Sequence, residues 1–550
     1  MRQIENEQGA APSRADVRPG ATPPAARLLW AAGLLLAAAG LFTLYVRQSR
    51  IAPFNADGGS TMLQAQAMLH GNVLLRGWWT ADASFYTTEL PEYMIVEALR
   101  GLRPDVVHIC GAISYTLTVL LAALLARGRA SGLAGLVRAL IAAGIMLAPG
   151  IIGGTQVFLQ EPNHAGTAVP ILLTFLLLDR APERWYVPVA VCLLLALTQM
   201  GDALTMVSAA AAIAAVAVVR PGALRLSRRP RAELGYDAAL LTAAVASVPL
   251  ARGGQALIQA LGGFALLPLP QPLFAASSQI PGNARMMGQT LLLLFGANYP
   301  GTARGSLDAL MYFHLIGLVL AGLALLAAIV TFFTRLDRVS QVVVAATLAT
   351  LAAGIFSTEL PGLSHAHEVA ILLPFGAVLA GRVLPGLLPA GRGTFLALLP
   401  PLGAWLAASL AALCWAATWA PIASQNATLA AWLTGRGYAE GLAAYWQANS
   451  TTVDTGGKVL VAPISDGGTA VRHWETSAGW YDPATRRADF VVAMANPDGP
   501  TGGLRVGSER EFFGRPAYVY HVGPYVIMVY RYNLLARLNG RAFGSPEPPG

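Results

Sequence analysis

The chain is 550 residues long, with 55% hydrophobic and 12% charged residues and a mean hydropathy of +0.53. A soluble surface needs about a quarter charged residues, so lipid rather than water is the solvent for most of this chain. The formal net charge of +8 does not point to nucleic acid, because the arginines fall where membrane topology places them.

Residues 1–27 are polar, rich in Pro, Ala and Arg, and aperiodic, which predicts a disordered cytoplasmic tail. The first apolar run is Leu28–Val46. Others follow at 107–126, 133–152, 165–179, 186–200, 203–219, 237–257, 309–333, 339–357, 367–387 and 394–420. They predict an all-α polytopic domain over 28–421 with about eleven transmembrane helices. The two runs flanking Gly201-Asp202 are short for a span of about 20 residues and could be one bent unit.

With the N-terminus inside, the cytoplasmic loops carry Arg127 and Arg129, Arg180 and Arg184, the cluster Arg225, Arg228, Arg229 and Arg231, then Arg335, Arg338 and Arg392. The outside turns near Glu161–His164 and Glu359–His367 carry neither Arg nor Lys. Lys458 is the only lysine, a skew that reads as a GC-rich bacterial genome; the expected location is a bacterial inner membrane, with the C-terminal region outside. Cys110, Cys192 and Cys414 lie in apolar stretches, without the spacing of a disulfide framework or zinc site.

Three outer segments are too long to be connectors: 47–105, 262–308 and the C-terminus. The second opens with Pro268, Pro270 and Pro272 and contains an interfacial helix around Arg285–Phe295. In the third, a helical stretch around Leu429–Gln447 precedes strand-like Lys458–Ile464, Ala488–Ala495 and Tyr525–Tyr530. This predicts a small extracytoplasmic α/β domain over 422–550. Trp446, Trp474 and Trp480 there could stack on sugar or belong to its core.

The chemistry concentrates in the first outer segment, from Phe54-Asn-Ala-Asp57-Gly-Gly-Ser60 through a helical run to His70-Gly71. Trp78-Trp79-Thr-Ala-Asp82 and Ser84-Phe-Tyr-Thr-Thr-Glu89-Leu-Pro91-Glu-Tyr93 follow. Asp57, Asp82 and Glu89 are thereby held near the membrane surface, and Met62, Ala65 or Gln66, and Leu69 predict an apolar stripe lying in the interface. Asp57 could serve as a base or cap the helix that follows it.

This order resembles the GT-C superfamily of polytopic glycosyltransferases, which take sugars from polyprenyl-phosphate carriers. The shared features are an acidic residue soon after helix 1, a helix ending in Gly, a polar-aromatic stretch, and a Pro-containing lead into helix 2. The resemblance covers the architecture of the whole chain, and its specific motif is confined to about 54–93. Tyr532-Asn533-Leu534-Leu535 and the outer domain look like bacterial members with periplasmic tails. Asp57 is followed by Gly58, so the paired acidic forms are absent, a departure from metal-dependent variants.

The resemblance implies transfer of a sugar from a polyprenyl-phosphate donor to a cell-envelope acceptor on the outer face, inverting, with Asp57 as general base. It leaves Asp82 and Glu89 as acceptor-binding or metal candidates, and no cofactor is assigned beyond an optional divalent metal. Arginine suits the leaving phosphate, and the outer candidates are Arg76, Arg252, Arg285 and Arg304; each could equally meet anionic lipid headgroups. Asn163, His164 and Asp202 lie at helix ends, where function and capping compete. His365, His367 and Glu368 could ligate zinc, although the spacing favours a hydrogen-bonded loop.

The Gly-Gly-Lys458-Val sequence is no Walker A loop, and no Gly-x-Ser-x-Gly elbow occurs. Rival readings are a lipid-linked glycan transporter, a glycan polymerase or ligase, and a noncatalytic scaffold of the same fold. A transporter would carry more ionisable residues deep in its helices than Arg138.

Overall fold

The computed structural model describes residues 24–543 except 161, 163, 182, 227–230, 268–273, 298–305, 359, 361, 390, 466 and 499–501. The predicted N-terminal tail, the Pro268–Pro272 cluster, Asn163 and Arg304 therefore lie outside the described residues, in whole or in large part. By contacts the chain divides into Met1–Leu41 and Phe42–Gly550. The described part of the first unit is apolar helix, and every contact below lies within the second.

Each predicted apolar run contains helix. Among the described residues, six helices are long and apolar enough to cross a membrane alone: Ala32–Ser49 (within Pro24–Ser49), Asp105–Arg127, Glu233–Ala260 (within Arg231–Ala260), Ala309–Val330 (within Ser306–Val330), Arg338–Phe356 and Arg392–Ala416. A seventh is reached if Leu363–Val369 and Leu372–Leu387, bent by 52°, form one broken span. Gly132–Met146, Tyr186–Gly201 and Met206–Arg220 are apolar but shorter. The protein is a multi-pass membrane protein, with six or seven spans by length and composition among the described residues. Gly201-Asp202 does interrupt the chain: the helix Tyr186–Gly201 stops there, and a π turn, Met206–Ala210, precedes the next helix.

One ion cluster joins four of these segments. Arg382, buried on Leu372–Val383, donates to Asp179 at 2.8 Å, Asp337 at 2.6 Å, Ser340 Oγ at 3.0 Å and the Leu125 carbonyl at 2.5 Å. Nearly every guanidinium proton direction is used, which is the condition for burying such a charge.

The first long loop folds as helix Ala56–Leu69, strand Trp78–Thr80 and helix Leu90–Arg100. The stripe assigned to the membrane interface is corrected here. Met62 and Ala65 are fully buried, packed in one cluster with Tyr93, Val106 and Val453, because the loop folds over protein rather than over lipid. Leu69 at the end of the helix stays exposed, and a further exposed apolar face lies on the next helix, at Ile95 and Leu99.

After the helices, five strands make a mixed sheet in the order Leu460–Ile464, Glu440–Ala444, Phe490–Met494, Tyr525–Val529, Tyr518–Val522. The first three run parallel and the last two join antiparallel. Both faces are covered, following the two-residue strand period. Val491 and Ala493 pack on one face with Leu442, Ile464, Met528 and Trp79, while Phe490 and Val492 pack on the other with Val461, Ile527, Leu429 and Leu433.

The three predicted strands are present, but the helical stretch Leu429–Gln447 is not continuous. Helix Ala427–Arg436 ends at Gly437 in the left-handed conformation, and Glu440–Ala444 is a central strand. Its Gly-Leu-Ala-Ala composition lacks β-branched residues, and Gly441 carries no side chain because the Phe490 ring occupies that space.

A second, three-stranded sheet ties distant segments together. Trp78–Thr80 pairs parallel with Ala265–Leu266 of the second long loop and antiparallel with Thr476–Ser477 of the C-terminal region.

Candidate functional site

The helix Ala56–Leu69 starts at Asn55, whose side-chain oxygen accepts from the Gly58 N–H at 3.0 Å. Asn55, not Asp57, is therefore the cap. Asp57 is left in the first turn, half-buried, with its carboxylate free for other partners.

The same helix lies against Tyr445–Asp454 of the C-terminal region. A Cβ on Gly59 would stand 3.1 Å from the backbone of Asn449 and Ser450, so glycine permits this approach. The approach brings the Tyr445 hydroxyl to Asp57 Oδ1 at 2.6 Å. On its other side the hydroxyl meets Glu475 Oε2. Glu475 is buried, adjacent to the strand Thr476–Ser477, with its backbone φ at +49°. Ser60 Oγ and Asn449 Nδ2 both donate to its carbonyl.

Burial pushes the Glu475 carboxyl well above the usual range, and the neighbouring charges of Asp57 and Asp82 add to it. Burial also raises Asp57, against the opposing pull of the Tyr445 hydrogen bond.

A second polar group forms where the first loop meets the end of Tyr186–Gly201. The Phe85 N–H donates to the Gly201 carbonyl at 2.9 Å, Ser84 Oγ to Met200 at 3.2 Å and Thr87 Oγ1 to Leu197 at 2.5 Å. The first two of these bonds occupy carbonyls that a helix end leaves unpaired. A Cβ on Gly201 would strike the hydroxyl of Thr88, so this seat also needs glycine.

Glu89 is thereby buried, accepting from Thr167 Oγ1 at 3.1 Å. Burial and then the charge of Asp202 push its carboxyl up to about 7. Asp202 accepts from the Leu204 N–H at 2.9 Å with one oxygen and meets His164 Nδ1 at 2.9 Å with the other. It is a cap and a charge partner at once. His164, at φ +56°, points its Nε2 to Glu368 at 3.6 Å and stacks on His367 with ring centroids 5.6 Å apart. Burial opposes a charge on this imidazole, but Asp202, Glu368 and Glu89 outweigh it and raise His164 to about 10. The same pair lowers Asp202.

Asp82, His164, Asp202, His367 and Glu368 line a cavity of about 250 Å³ whose other walls include Ile171, Leu204, Val207, Leu360 and Val369. An apolar cavity carrying a few convergent polar groups is the usual form of a binding site. The loop candidates Asp82, His164, His367 and Glu368, drawn from three separate segments of the sequence, thus come together. Asp57 lies with Tyr445 and Glu475 rather than in the cavity lining, and Asp82, whose charge reaches Glu475, belongs to both groups.

Arg76 is exposed, its backbone held by the Asn72 side chain in a local turn. Arg285 is exposed on helix Ile280–Leu294. Two residues on, Met287 packs where a Gly354 side chain would stand, on the cavity wall. Trp480 is packed edge-on against Trp78, so it belongs to the core, while Trp446 is exposed.

His164, His367 and Glu368 each offer one ligand atom within 4.8 Å of the others. With Nδ1 held by Asp202, the donor set is of a kind that suits a divalent cation, the carboxylate orienting the ring from behind. Such an ion must displace the proton on His164. His365 is turned to Ser364 Oγ at 3.1 Å and lies outside this set.

Tyr445 and Glu475 were missed by the sequence reading. No motif marks them: the close approach of helix Ala56–Leu69 to Tyr445–Asp454 brings Tyr445 to Asp57, and the pairing of Trp78–Thr80 with Thr476–Ser477 brings Glu475.

No protein-family model matches the chain, and no curated protein does. Among solved structures, it is similar to ArnT from Cupriavidus metallidurans bound to undecaprenyl phosphate, with a TM-score of 0.52 at 11% identity. The match covers 94% of this chain and 99% of that chain. At this identity the similarity is one of fold alone.

Proposed function

We propose that the chain is a membrane glycosyltransferase that moves a sugar from a polyprenyl-phosphate donor to a cell-envelope acceptor at the outer face of a bacterial inner membrane. The observation that carries this reading is Asp82 on the wall of an apolar cavity, with Asp57 held by Tyr445 beside the Glu475 that the Asp82 charge also reaches, in a fold shared with a protein bound to undecaprenyl phosphate.

In the proposed reaction Asp57 accepts the proton of an acceptor hydroxyl. The oxygen attacks the anomeric carbon from the face opposite the phosphate, and the carbon–oxygen bond to phosphate breaks with its electron pair leaving on polyprenyl phosphate. One displacement inverts the anomeric centre. Burial makes Asp57 a stronger base than a solvated aspartate, and the Tyr445 hydrogen bond keeps it ionisable. The protonated His164 supplies positive charge inside the cavity, and Arg285, exposed on helix Ile280–Leu294, is the arginine we assign to the leaving phosphate. Glu89 and Asp202 act behind His164, holding its charge.

The test is transfer in proteoliposomes supplied with labelled polyprenyl-phosphate sugars and envelope glycans, comparing wild type with Asp57→Asn and Asp82→Asn. Loss of turnover in Asp57→Asn, with donor binding retained, supports the assignment. Loss confined to Asp82→Asn moves the base to the cavity wall. If labelled lipid crosses the bilayer and no sugar is transferred, the chain is a transporter.

A further inference from the structure

A single phenolic hydroxyl stands between two carboxyl groups in the site, and it has only one proton to give. Tyr445 Oη lies 2.6 Å from Asp57 Oδ1 and also contacts Glu475 Oε2. If both carboxyls were ionised, one of these contacts would set oxygen against oxygen with no proton between them, in a place shielded from water. A second proton removes the conflict, and it belongs on the more enclosed group. Glu475 is buried, whereas Asp57 is half-buried. The hydrogen bonds then run one way: Glu475 donates to Tyr445, and Tyr445 donates to Asp57.

From this geometry we infer that the C-terminal α/β region contributes two positioning residues to the transfer site, a protonated Glu475 and Tyr445, which together hold Asp57 ionised and aimed. The inference rests on the proposed function for its role in catalysis, but the location of the proton does not.

The other groups around the trio are accounted for. Asp82, from the first long loop, adds negative charge that keeps the proton on Glu475. His473, two residues before Glu475, stacks on Trp79 at 4.1 Å and directs Nε2 to the Gly540 carbonyl at 2.7 Å, away from the trio. Ser60 and Asn449 bind the Glu475 backbone and fix where its side chain starts, and Ser60 also hydrogen-bonds the carboxyl, a pull toward the charged form that burial outweighs. Asn55 Nδ2 donates to the second Asp57 oxygen at 3.1 Å. Burial, then the negative charge of Asp57, keeps the Tyr445 phenol far above its ordinary range, so it stays a neutral donor.

Two readouts test this. In infrared difference spectra at neutral pH, wild type minus Glu475→Gln should show the stretch of a protonated carboxyl that the variant lacks; its absence overturns the inference. In the transfer assay, Tyr445→Phe should move the acid limb of kcat to higher pH by about one to two units, because a charge-assisted hydrogen bond to the ionised base is lost. KM for the donor should change little. Glu475→Ala should displace the limb in the same direction, and Glu475→Gln, which can still donate to Tyr445, should restore it.

A limb unmoved in Tyr445→Phe, or one moved to lower pH in Glu475→Gln, contradicts the inference, since the latter would mean that a negative charge had been removed. A wild type that transfers no sugar overturns the catalytic role through the failure of the proposed function. The infrared band then decides the position of the proton by itself.

Discussion

Tyr445 donates to Asp57 at 2.6 Å across 388 residues of sequence. The contact depends on how closely helix Ala56–Leu69 approaches Tyr445–Asp454, and so on Gly59. Gly59→Ala places a methyl group 3.1 Å from the Asn449 and Ser450 backbone. Neither neighbour is a flexible side-chain tip, so the helices must separate. The expected result is a loss of about 1–3 kcal/mol, seen as a lower melting temperature in detergent, with transfer falling further than stability alone explains.

Trp79 holds the first long loop to the C-terminal sheet. It is buried in the core of that sheet and stacked on His473, while its backbone pairs with both Ala265 and Thr476. Trp79→Ala should cost about 3–5 kcal/mol. Proteolysis should then cut within 70–90 before the membrane helices are attacked, and uniform resistance would argue against this anchoring.

His164 gives stability a pH dependence whose sign can be stated. Its pKa is raised to about 10 in the folded protein, against about 6.5 in an unfolded chain. Folding therefore favours the protonated form. That contribution is complete below about pH 6.5 and is lost as pH rises through about 10. Asp202→Asn removes its main partner, at 2.9 Å, and should cost about 3–5 kcal/mol at pH 6.5. The gap in melting temperature between wild type and variant should narrow steadily toward pH 10, and a constant gap would exclude the ion pair as its source.

Arg382 is the keystone of the buried ion cluster, and Arg382→Met should strand Asp179 without its 2.8 Å partner. A loss of about 3–5 kcal/mol is expected. Adding Asp179→Asn should return part of it, because the two residues share one interaction. Additive losses in the double variant would contradict the pairing.

Much of this was legible in the sequence because lipid imposes a strong pattern. The apolar runs located a helix in each predicted stretch, and the bounded β-branched runs at Lys458, Ala488 and Tyr525 located three strands. Glu440–Ala444 was hidden, since Gly-Leu-Ala-Ala reads equally well as helix and only the neighbouring strands make it extended. The Met62–Leu69 stripe has the period of an amphipathic helix, but period does not say whether lipid or protein covers the face.

At the site, Asp57 and Asp82 stand out by sequence alone as acids in an aromatic loop. Their partners Tyr445 and Glu475 do not, for the packing of one helix on another sets the first contact and the pairing of distant strands the second. His164 was identified only as a residue at a helix end. Its partnership with Asp202, His367 and Glu368 depends on loops that converge in three dimensions.

The most direct measurement is single-turnover sugar transfer by purified protein in proteoliposomes, with labelled polyprenyl-phosphate sugar in excess and extracted envelope glycans as acceptors. Wild type should convert the donor to an inverted glycoside and polyprenyl phosphate, and Asp57→Asn should bind the same donor and leave it intact. Equal transfer by the two proteins, or none by either, would contradict the account.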